Sequence, residues 1–379
     1  MVGKILIVHP TGIGDTLKIT PTVRELRKKY PKAHISYLIE SGPSALLLNN
    51  PHLNEIIIFD RNAYKKELVI KEGDFNQVFL EIYLNMKNIK ERKIDLTINL
   101  FSSYYGAILA YLSKAKKILG FQMNSYGQFF GEIEPSLRPL HLINRFGRIA
   151  KIKPESKDLV LKLTKDEEKF GRTFLEDHKI SQNDFLIGLN AGAAWLSKRW
   201  GFKNFAKLSD ELISSFGAKV VLFGGTQDRK RTDRIKELMN AKPIVPPPLN
   251  LRELASVISR CRLFIGQDTG PLYMAEALSV PTISIWGPTD PVYDGPAGRS
   301  ALSLQADIPC VTCNKDKCEE LNCMKEIKVE HILEAVKIRR ILDHPFFGKS
   351  EMARPKVKQI LKDPKMKKVR VFLGGKRLS

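Results

Sequence analysis

Short apolar runs alternate with charged, amphipathic segments along most of the chain, and this alternation limits the fold more than any other feature. In the first half the runs are KILIVH (4–9), HISYLI (34–39), EIIIF (55–59), DLTINL (95–100) and KILGF (117–121). The second half repeats the theme with FLIGLN (185–190), KVVLFG (219–224), LFIGQD (263–268) and TISIWG (282–287). Runs of this length suit strands buried in parallel sheets that are covered by helices. The sequence therefore predicts an α/β fold with two doubly wound domains.

The boundary between the two halves is predicted near residues 150–182, where KIKPESK precedes the charged text TKDEEKFGRTFLEDH. We therefore expect domains at 1–155 and 183–328, followed by a C-terminal helix and basic tail at 329–379. Ligands of open parallel sheets bind at the carboxyl ends of the strands. A cleft between two such domains is the expected site of chemistry.

The charge balance points to an anionic partner, because 62 Lys and Arg residues stand against 41 Asp and Glu residues. Nucleic acid, a membrane surface and a phosphorylated substrate all satisfy such an excess. No apolar run approaches the roughly 18 residues of a membrane span. The N-terminal run is too short for a signal-peptide core. These features predict a cytoplasmic protein whose membrane contact is peripheral.

Four of the five cysteines are grouped with the spacing C-x2-C-x4-C-x4-C, at Cys310, Cys313, Cys318 and Cys323. Such a group can hold zinc or an iron–sulfur cluster. The spacing matches no standard ligand pattern well, so a structural loop with reduced thiols is the alternative. Both interpretations remain open at this point.

The segment HPTGIGDTL (9–17) places glycines between a predicted strand and a predicted helix, as phosphate-binding turns do. The dinucleotide fingerprint fails here because its third glycine would fall at Leu17, and no Gly-Lys-Ser/Thr follows for a P-loop. Asp15 stands at the helix start instead, where it would repel a pyrophosphate. The turn therefore serves another ligand, unless Asp15 merely caps the helix.

The second half carries two neighbouring glycine turns at strand ends. Asp268-Thr269-Gly270 follows one strand, and Pro271 then opens a helix whose free backbone N–H groups favour an anion. WGPTDP (286–291) ends the next strand. Together the two turns predict a pocket for a nucleotide diphosphate.

Three charged side chains lie near the other strand ends of this half. Lys198 and Arg199 precede an amphipathic helix, where they can reach a phosphate, although they can equally be solvated surface cations. Asp228 follows Gly224-Gly225 and could accept hydrogen bonds from ribose hydroxyls. Its alternative role is to cap a helix.

The sequence resembles glycosyltransferase family 9, the ADP-heptose:lipopolysaccharide heptosyltransferases. The resemblance is carried by GIGDTLKITPTVRELRKKYP, KRW, FGGTQD, DTGPLYMAEALSVPTISIWGPTDP and the cysteine loop, the segment from Cys310 to Cys323. The resemblance covers roughly residues 3–340. It implies a GT-B fold, in which two Rossmann-like domains face each other across a cleft. It also implies inverting transfer of a heptose from ADP-heptose to a lipopolysaccharide inner-core acceptor at the cytoplasmic face of the inner membrane. Members of the family require no metal or other cofactor.

The resemblance also assigns roles to individual residues. Asp15 matches the catalytic base of the acceptor domain, and Gly12 and Gly14 leave room for a sugar. Lys198 matches the phosphate-contacting lysine, beside Arg199. The diphosphate turn corresponds to Asp268, Thr269 and Gly270. Two positions depart from the family: Asp228 replaces a ribose-binding glutamate, and Tyr273 stands near the place of a histidine.

Other functions compete with this interpretation. A glycosyltransferase that uses another nucleotide sugar fits the same motifs. A GT-B-like scaffold that binds sugar without catalysis is a further alternative, and the presence of Asp15 argues against it. A basic nucleic-acid-binding protein fits the charge but leaves the glycine turns unexplained. Residues 331–379 carry 14 Lys and Arg against 4 Asp and Glu, and they form either a solvated tail or a surface that binds membranes.

Overall fold

The computed structural model describes residues 2–10, 12–59, 89, 91–121, 132–134, 140–225, 229–342 and 353–378. The chain divides into two compact units, Met1–Lys162 and Leu163–Ser379. The division falls within the interval in which the sequence places the domain boundary. Each unit is built around its own sheet.

The first unit contains a six-stranded sheet in the order β3-β2-β1-β4-β5-β6, with every neighbouring pair parallel. Its strands are β1 Lys4–Val8, β2 His34–Ile39, β3 Glu55–Ile58, β4 Leu96–Asn99, β5 Lys117–Phe121 and β6 Glu132–Glu134. Its helices are α1 Ile13–Lys29, α2 Ser41–Ser44, α3 Tyr104–Leu112 and α4 Leu142–Ile149. The five predicted strands of this half are confirmed. The sixth was not predicted, because EIE has no apolar run.

Alternating residues of β1 serve the two faces of this sheet, as the pleat requires. Ile5 and Ile7 join a core cluster with α1 and α4 on one face. Leu6 and Val8 join a second cluster with α3 on the other. Both faces are therefore covered, and β1 runs in the centre of the sheet with its carboxyl end leading into α1.

The second unit contains a seven-stranded sheet in the order β13-β12-β11-β10-β9-β7-β8, parallel from β8 to β11. Its strands are β7 Leu186–Asn190, β8 Lys219–Phe223, β9 Leu263–Gln267, β10 Thr282–Trp286, β11 Ala301–Ala306, β12 Val369–Leu373 and β13 Lys376–Arg377. Its helices are α5 Lys165–Asp177, α6 Phe202–Phe216, α7 Arg229–Leu238, α8 Leu251–Ile258, α9 Gly270–Ala277, α10 Asn322–Lys325, α11 Val329–Leu342 and α12 Ala353–Leu361. The four predicted strands of this half are confirmed.

The charged segment between the halves forms α5 and belongs to the second unit. Thr164 and Glu167 close a capping box at its start. The Arg252 guanidinium on α8 holds the Glu167 carboxylate through Nε at 2.6 Å and Nη2 at 2.5 Å. Such a two-pronged pair fixes both distance and orientation, so this pair fastens α5 to α8.

The described part of the C-terminal tail is folded and belongs to the second unit, whereas the sequence set residues 329–379 apart as a helix and basic tail. Strand β12 pairs antiparallel with β11, and Gly374 and Gly375 turn into β13 with φ angles of 56° and 75°. Val357, Met366 and Val371 join the core of the second unit. Residues 353–378 are therefore not the solvated, unfolded segment that was one of the two alternatives.

The structure also bears on membrane insertion. Within the described ranges, no helix combines the length and the apolar character that crossing a bilayer requires.

We expect Val371→Ala to lower the free energy of unfolding by about 2 kcal/mol, because Val371 is fully buried and the change removes two methyl groups from the core. Chemical denaturation of the full chain measures this directly. Val292→Ala is the matched control, since Val292 is 42% exposed and its truncation should cost less than about 0.5 kcal/mol. Equal stabilities for Val371→Ala and the parent would show that the tail does not contribute to the core.

Candidate active site

In the first unit, the carboxyl end of β1 leads through a glycine turn to Asp15 in the first turn of α1. Gly12 has a φ of +94°, and a Cβ at that position would stand 3.5 Å from Oδ2 of Asp15. Glycine is required there because other residues strongly disfavour this backbone conformation. The Asp15 side chain is 46% exposed, so a ligand can approach its carboxylate.

One buried cation faces Asp15. The Nζ of Lys18 lies 3.6 Å from Oδ1 of Asp15, and the Lys18 side chain is only 6% exposed. Two buried neighbours are neutral near pH 7: burial lowers the pKa of His9 and raises the pKa of Tyr37, although the Asp15 charge opposes the shift at His9. Lys18 therefore supplies positive charge beside the carboxylate.

The proposed capping role of Asp15 does not match its contacts. The N-cap of α1 is Gly12, and no backbone N–H of the described chain donates a hydrogen bond to the Asp15 carboxylate. The start of a helix favours a nearby negative charge electrostatically. Asp15 thus lies where an anion is favoured while its oxygens remain open to a ligand.

In the second unit, Lys198 and Asp268 form an ion pair at the carboxyl ends of β7 and β9. Lys198 ends a short 3-10 turn, Leu196–Lys198, and its Nζ lies 2.5 Å from Oδ2 of Asp268. The two side chains are 15% and 11% exposed. The same Nζ stands 4.3 Å from the centroid of the Trp195 ring, a distance typical of a cation–π contact. The pair joins two residues that the sequence analysis selected separately.

Two further hydroxyl groups donate to Asp268. Thr289 Oγ1 lies 3.0 Å from Oδ2, and the Tyr273 hydroxyl lies 2.9 Å from Oδ1 and 2.8 Å from the carbonyl oxygen of Asp294. Burial, reinforced by the nearby carboxylates, raises the pKa of Tyr273 well above its ordinary value. The phenol therefore keeps its proton and remains a donor. These two donors, one in α9 and one in the turn after β10, fix the carboxylate that holds Lys198.

The surrounding backbone is positioned by buried amides. Gln267 is fully buried at the end of β9, and its Nε2 donates to the carbonyl oxygen of Lys198 at 2.8 Å. Thr269 Oγ1 lies 3.4 Å from Oδ1 of Asn190. Helix α9 begins at Gly270, and the Thr269 side chain makes no capping hydrogen bond to it. Uncapped N–H groups at a helix start are suited to an anion.

Two arginines support the turn that follows β7. Arg199 Nε and Arg231 Nη1 both point at the carbonyl oxygen of Ala193, at 3.2 and 3.5 Å. Arg199 thus has a backbone partner beside Lys198 rather than a purely solvated position. Asp228, the predicted ribose ligand, lies outside the described residues.

The cysteine loop makes hydrogen bonds on both sides of the Lys198–Asp268 ion pair. Ser197 donates its N–H to the carbonyl oxygen of Asp316 at 3.2 Å and its hydroxyl to that of Lys315 at 2.6 Å. From the same loop, the N–H of Asn314 donates to the carbonyl oxygen of Pro288 at 2.8 Å. The loop therefore fixes the residues next to Lys198 and next to Thr289.

The cysteines themselves are all free thiols. Cys323 is buried, and burial together with the other three thiols raises its pKa to about 11. Cys310, Cys313 and Cys318 are exposed. Nowhere in the described ranges do three Cys, His, Asp or Glu side chains converge on a position that could hold a metal ion.

Sequence reasoning selected most of the residues at these strand ends but not their mutual contacts. It did not select Lys18, Gln267 or Ser197, and it mentioned Tyr273 only as a departure from the family. Thr289 was detectable, since it lies in the second glycine turn, WGPTDP. The buried polar residues gave no signal, because a Gln or Ser in a strand or turn looks like any other.

Comparisons with known proteins identify the family and the fold of the chain. Residues 83–324 match the family described as glycosyltransferase family 9 (heptosyltransferase). Lipopolysaccharide heptosyltransferase 1 of Pseudomonas aeruginosa is 24% identical over 327 residues, which cover 83% of this chain and 87% of that protein.

Two solved structures share the fold. The glycosyl transferase family 9 protein of Veillonella parvula matches with a TM-score of 0.75 and 24% identity, over 89% of this chain and 97% of that one. The ADP-heptose lipopolysaccharide heptosyltransferase II of E. coli matches with a TM-score of 0.70 and 19% identity, over 89% and 98%. The fold is thus of the GT-B type, with two α/β units. Since the family match covers more than half of the sequence, the chain belongs to glycosyltransferase family 9 and is a glycosyltransferase.

Proposed function

We propose that this protein transfers a heptose from ADP-heptose to an inner-core sugar of lipopolysaccharide, with inversion at the anomeric carbon. Lipopolysaccharide heptosyltransferases among its relatives support the sugar and the acceptor, and the name of the E. coli structure supports the donor. The observation that carries the mechanism is the half-exposed Asp15 carboxylate at the end of β1. In this proposal the acceptor is lipid-borne, and the reaction takes place at the cytoplasmic face of the inner membrane.

Asp15 acts as the general base in this proposal. Its carboxylate takes the proton of the acceptor hydroxyl while that oxygen attacks the anomeric carbon. The bond from the anomeric carbon to the diphosphate oxygen breaks on the opposite face, and ADP leaves with the electron pair. A single displacement of this kind inverts the carbon. Gly12 and Gly14 keep side chains away from the acceptor sugar.

Lys198 stabilises the negative charge that grows on the departing diphosphate, as a fixed cation in a site with little water does. Asp268 is a positioning residue, because its two oxygens are already occupied by Lys198, Tyr273 and Thr289. The start of α9 at Thr269 and Gly270, with Arg199, completes the anion site. The ribose is assigned to Asp228 on the sequence alone.

The direct test is a transfer assay with a panel of nucleotide sugars and a lipopolysaccharide acceptor that lacks the terminal heptose. We expect ADP-heptose to be used, and we expect the rate to be unchanged by EDTA because the protein supplies the cations. A preference for another nucleotide sugar would overturn the assignment of the donor. It would favour the alternative of a glycosyltransferase that uses another nucleotide sugar.

We expect Asp15→Asn to lower kcat by about 10²–10⁴, the usual cost of losing a general base. The Kd of the donor should stay within about threefold, because the donor is bound by the second unit. Rapid-quench kinetics and calorimetry measure the two quantities separately. Asp158→Asn, which alters an exposed carboxylate of the same unit, is the control and should retain full activity. Parent-like turnover by Asp15→Asn would remove Asp15 from the mechanism.

We expect Lys198→Ala to raise the Kd of ADP-heptose by about 10–100-fold, the range for a lost hydrogen bond between charged groups. Turnover should fall as well, because the leaving group loses its cation. Lys203→Ala removes an exposed lysine a few residues away and should change neither quantity. If both variants bind the donor alike, Lys198 does not contact the diphosphate.

A further inference from the structure

The folded C-terminal segment is strongly basic. Between residues 355 and 378 the sequence has nine Lys and Arg residues and a single acidic residue, Asp363. Eight of the nine are exposed, and we call them the C-terminal basic surface: Lys356, Lys358, Lys362, Lys365, Lys367, Lys368, Lys376 and Arg377. The ninth, Arg370, is paired with Asp307 and is not part of it.

The charge of this surface is largely uncompensated inside the protein. Six of its ammonium groups form no ion pair with an acidic side chain in the described chain: Lys358, Lys362, Lys365, Lys367, Lys368 and Lys376. Asp363 instead accepts a hydrogen bond from the backbone N–H of Lys365 at 2.8 Å. The attraction of these cations is therefore available to an external anion.

The surface is also rigidly supported. Helix α12 buries Val357 on its inner side, while Lys358 and Lys362, one turn apart, lie exposed. Met366 and Val369 anchor the following residues in the core. Because β12 pairs with β11, the cations are attached to the same sheet that carries Lys198 and Asp268.

We propose that the C-terminal basic surface docks the protein on an anionic phospholipid bilayer. This inference rests on the proposed function, in which the acceptor is lipid-borne. Seven of the eight cations are lysines, which act as compact point charges and suit a diffuse anionic surface better than a specific planar partner. Phe372, the one aromatic residue between residues 353 and 378, is only 4% exposed, so this segment presents no exposed ring for stacking on nucleic-acid bases. Docking raises the concentration of enzyme near its acceptor.

The test is co-sedimentation of the full chain with vesicles of phosphatidylglycerol and phosphatidylcholine, at low and high salt. We expect salt-sensitive binding, and none to vesicles of phosphatidylcholine alone. A variant with Lys358→Gln, Lys362→Gln and Lys365→Gln should bind at least about tenfold more weakly, since each lysine near an anionic leaflet contributes roughly a factor of five. Truncation is not used here, because it would remove part of the core.

The matched control carries Lys169→Gln, Lys236→Gln and Lys242→Gln, three exposed positions of the same unit with the same loss of charge. It should bind vesicles as the parent does, and thermal unfolding should show both variants folded. Equal vesicle binding by the two triple variants would overturn the proposal. The proposal would also be overturned if the parent protein bound an RNA duplex at a salt concentration at which it did not bind the vesicles. Neither outcome would affect the proposed transfer reaction, which is assayed separately on an acceptor in detergent.

Discussion

The ion pair between Lys198 and Asp268 is the interaction on which the candidate donor site depends. Both side chains are largely withdrawn from water, so each charge needs the other to offset the cost of burial. The pair exists because β7 and β9 are neighbours in a parallel sheet and therefore end at the same edge. Tyr273 and Thr289 fix the carboxylate, and the cysteine loop fixes the backbone on either side. A single lysine is thus held in one position by residues from three other parts of the sequence.

In both α/β units, the segment that follows a parallel strand carries the candidate functional side chain, but this side chain is negative in the first unit and positive in the second. In the first, the end of β1 leads to a half-exposed carboxylate, Asp15, beside a buried lysine. In the second, the ends of β7 and β9 present a cation, Lys198, backed by a buried carboxylate. The exposed carboxylate suits proton transfer from a neutral hydroxyl, and the backed cation suits an anion. This difference follows from one or two side chains at strand ends and not from the topology of either sheet.

Most strands of the two sheets could be predicted from the sequence, since each buried strand appears as a short, contiguous apolar run. The pairing of Lys198 with Asp268 could not, because 70 residues separate them and periodicity does not reveal the order β10-β9-β7. The fold of the tail was hidden for a related reason. Val357 and Met366 each lie between two lysines in the sequence, so neither belongs to an apolar run that would predict burial. Both nevertheless contribute to the core.

A double-mutant cycle on ADP-heptose binding, measured by calorimetry, tests the central claim most directly. If Asp268 acts by holding Lys198, Asp268→Asn weakens donor binding in the parent. In the Lys198→Ala background the same change does not weaken binding, and removal of an unopposed negative charge can strengthen it. Equal weakening in both backgrounds would contradict the account, because Asp268 would then contribute to the affinity for the donor independently of Lys198.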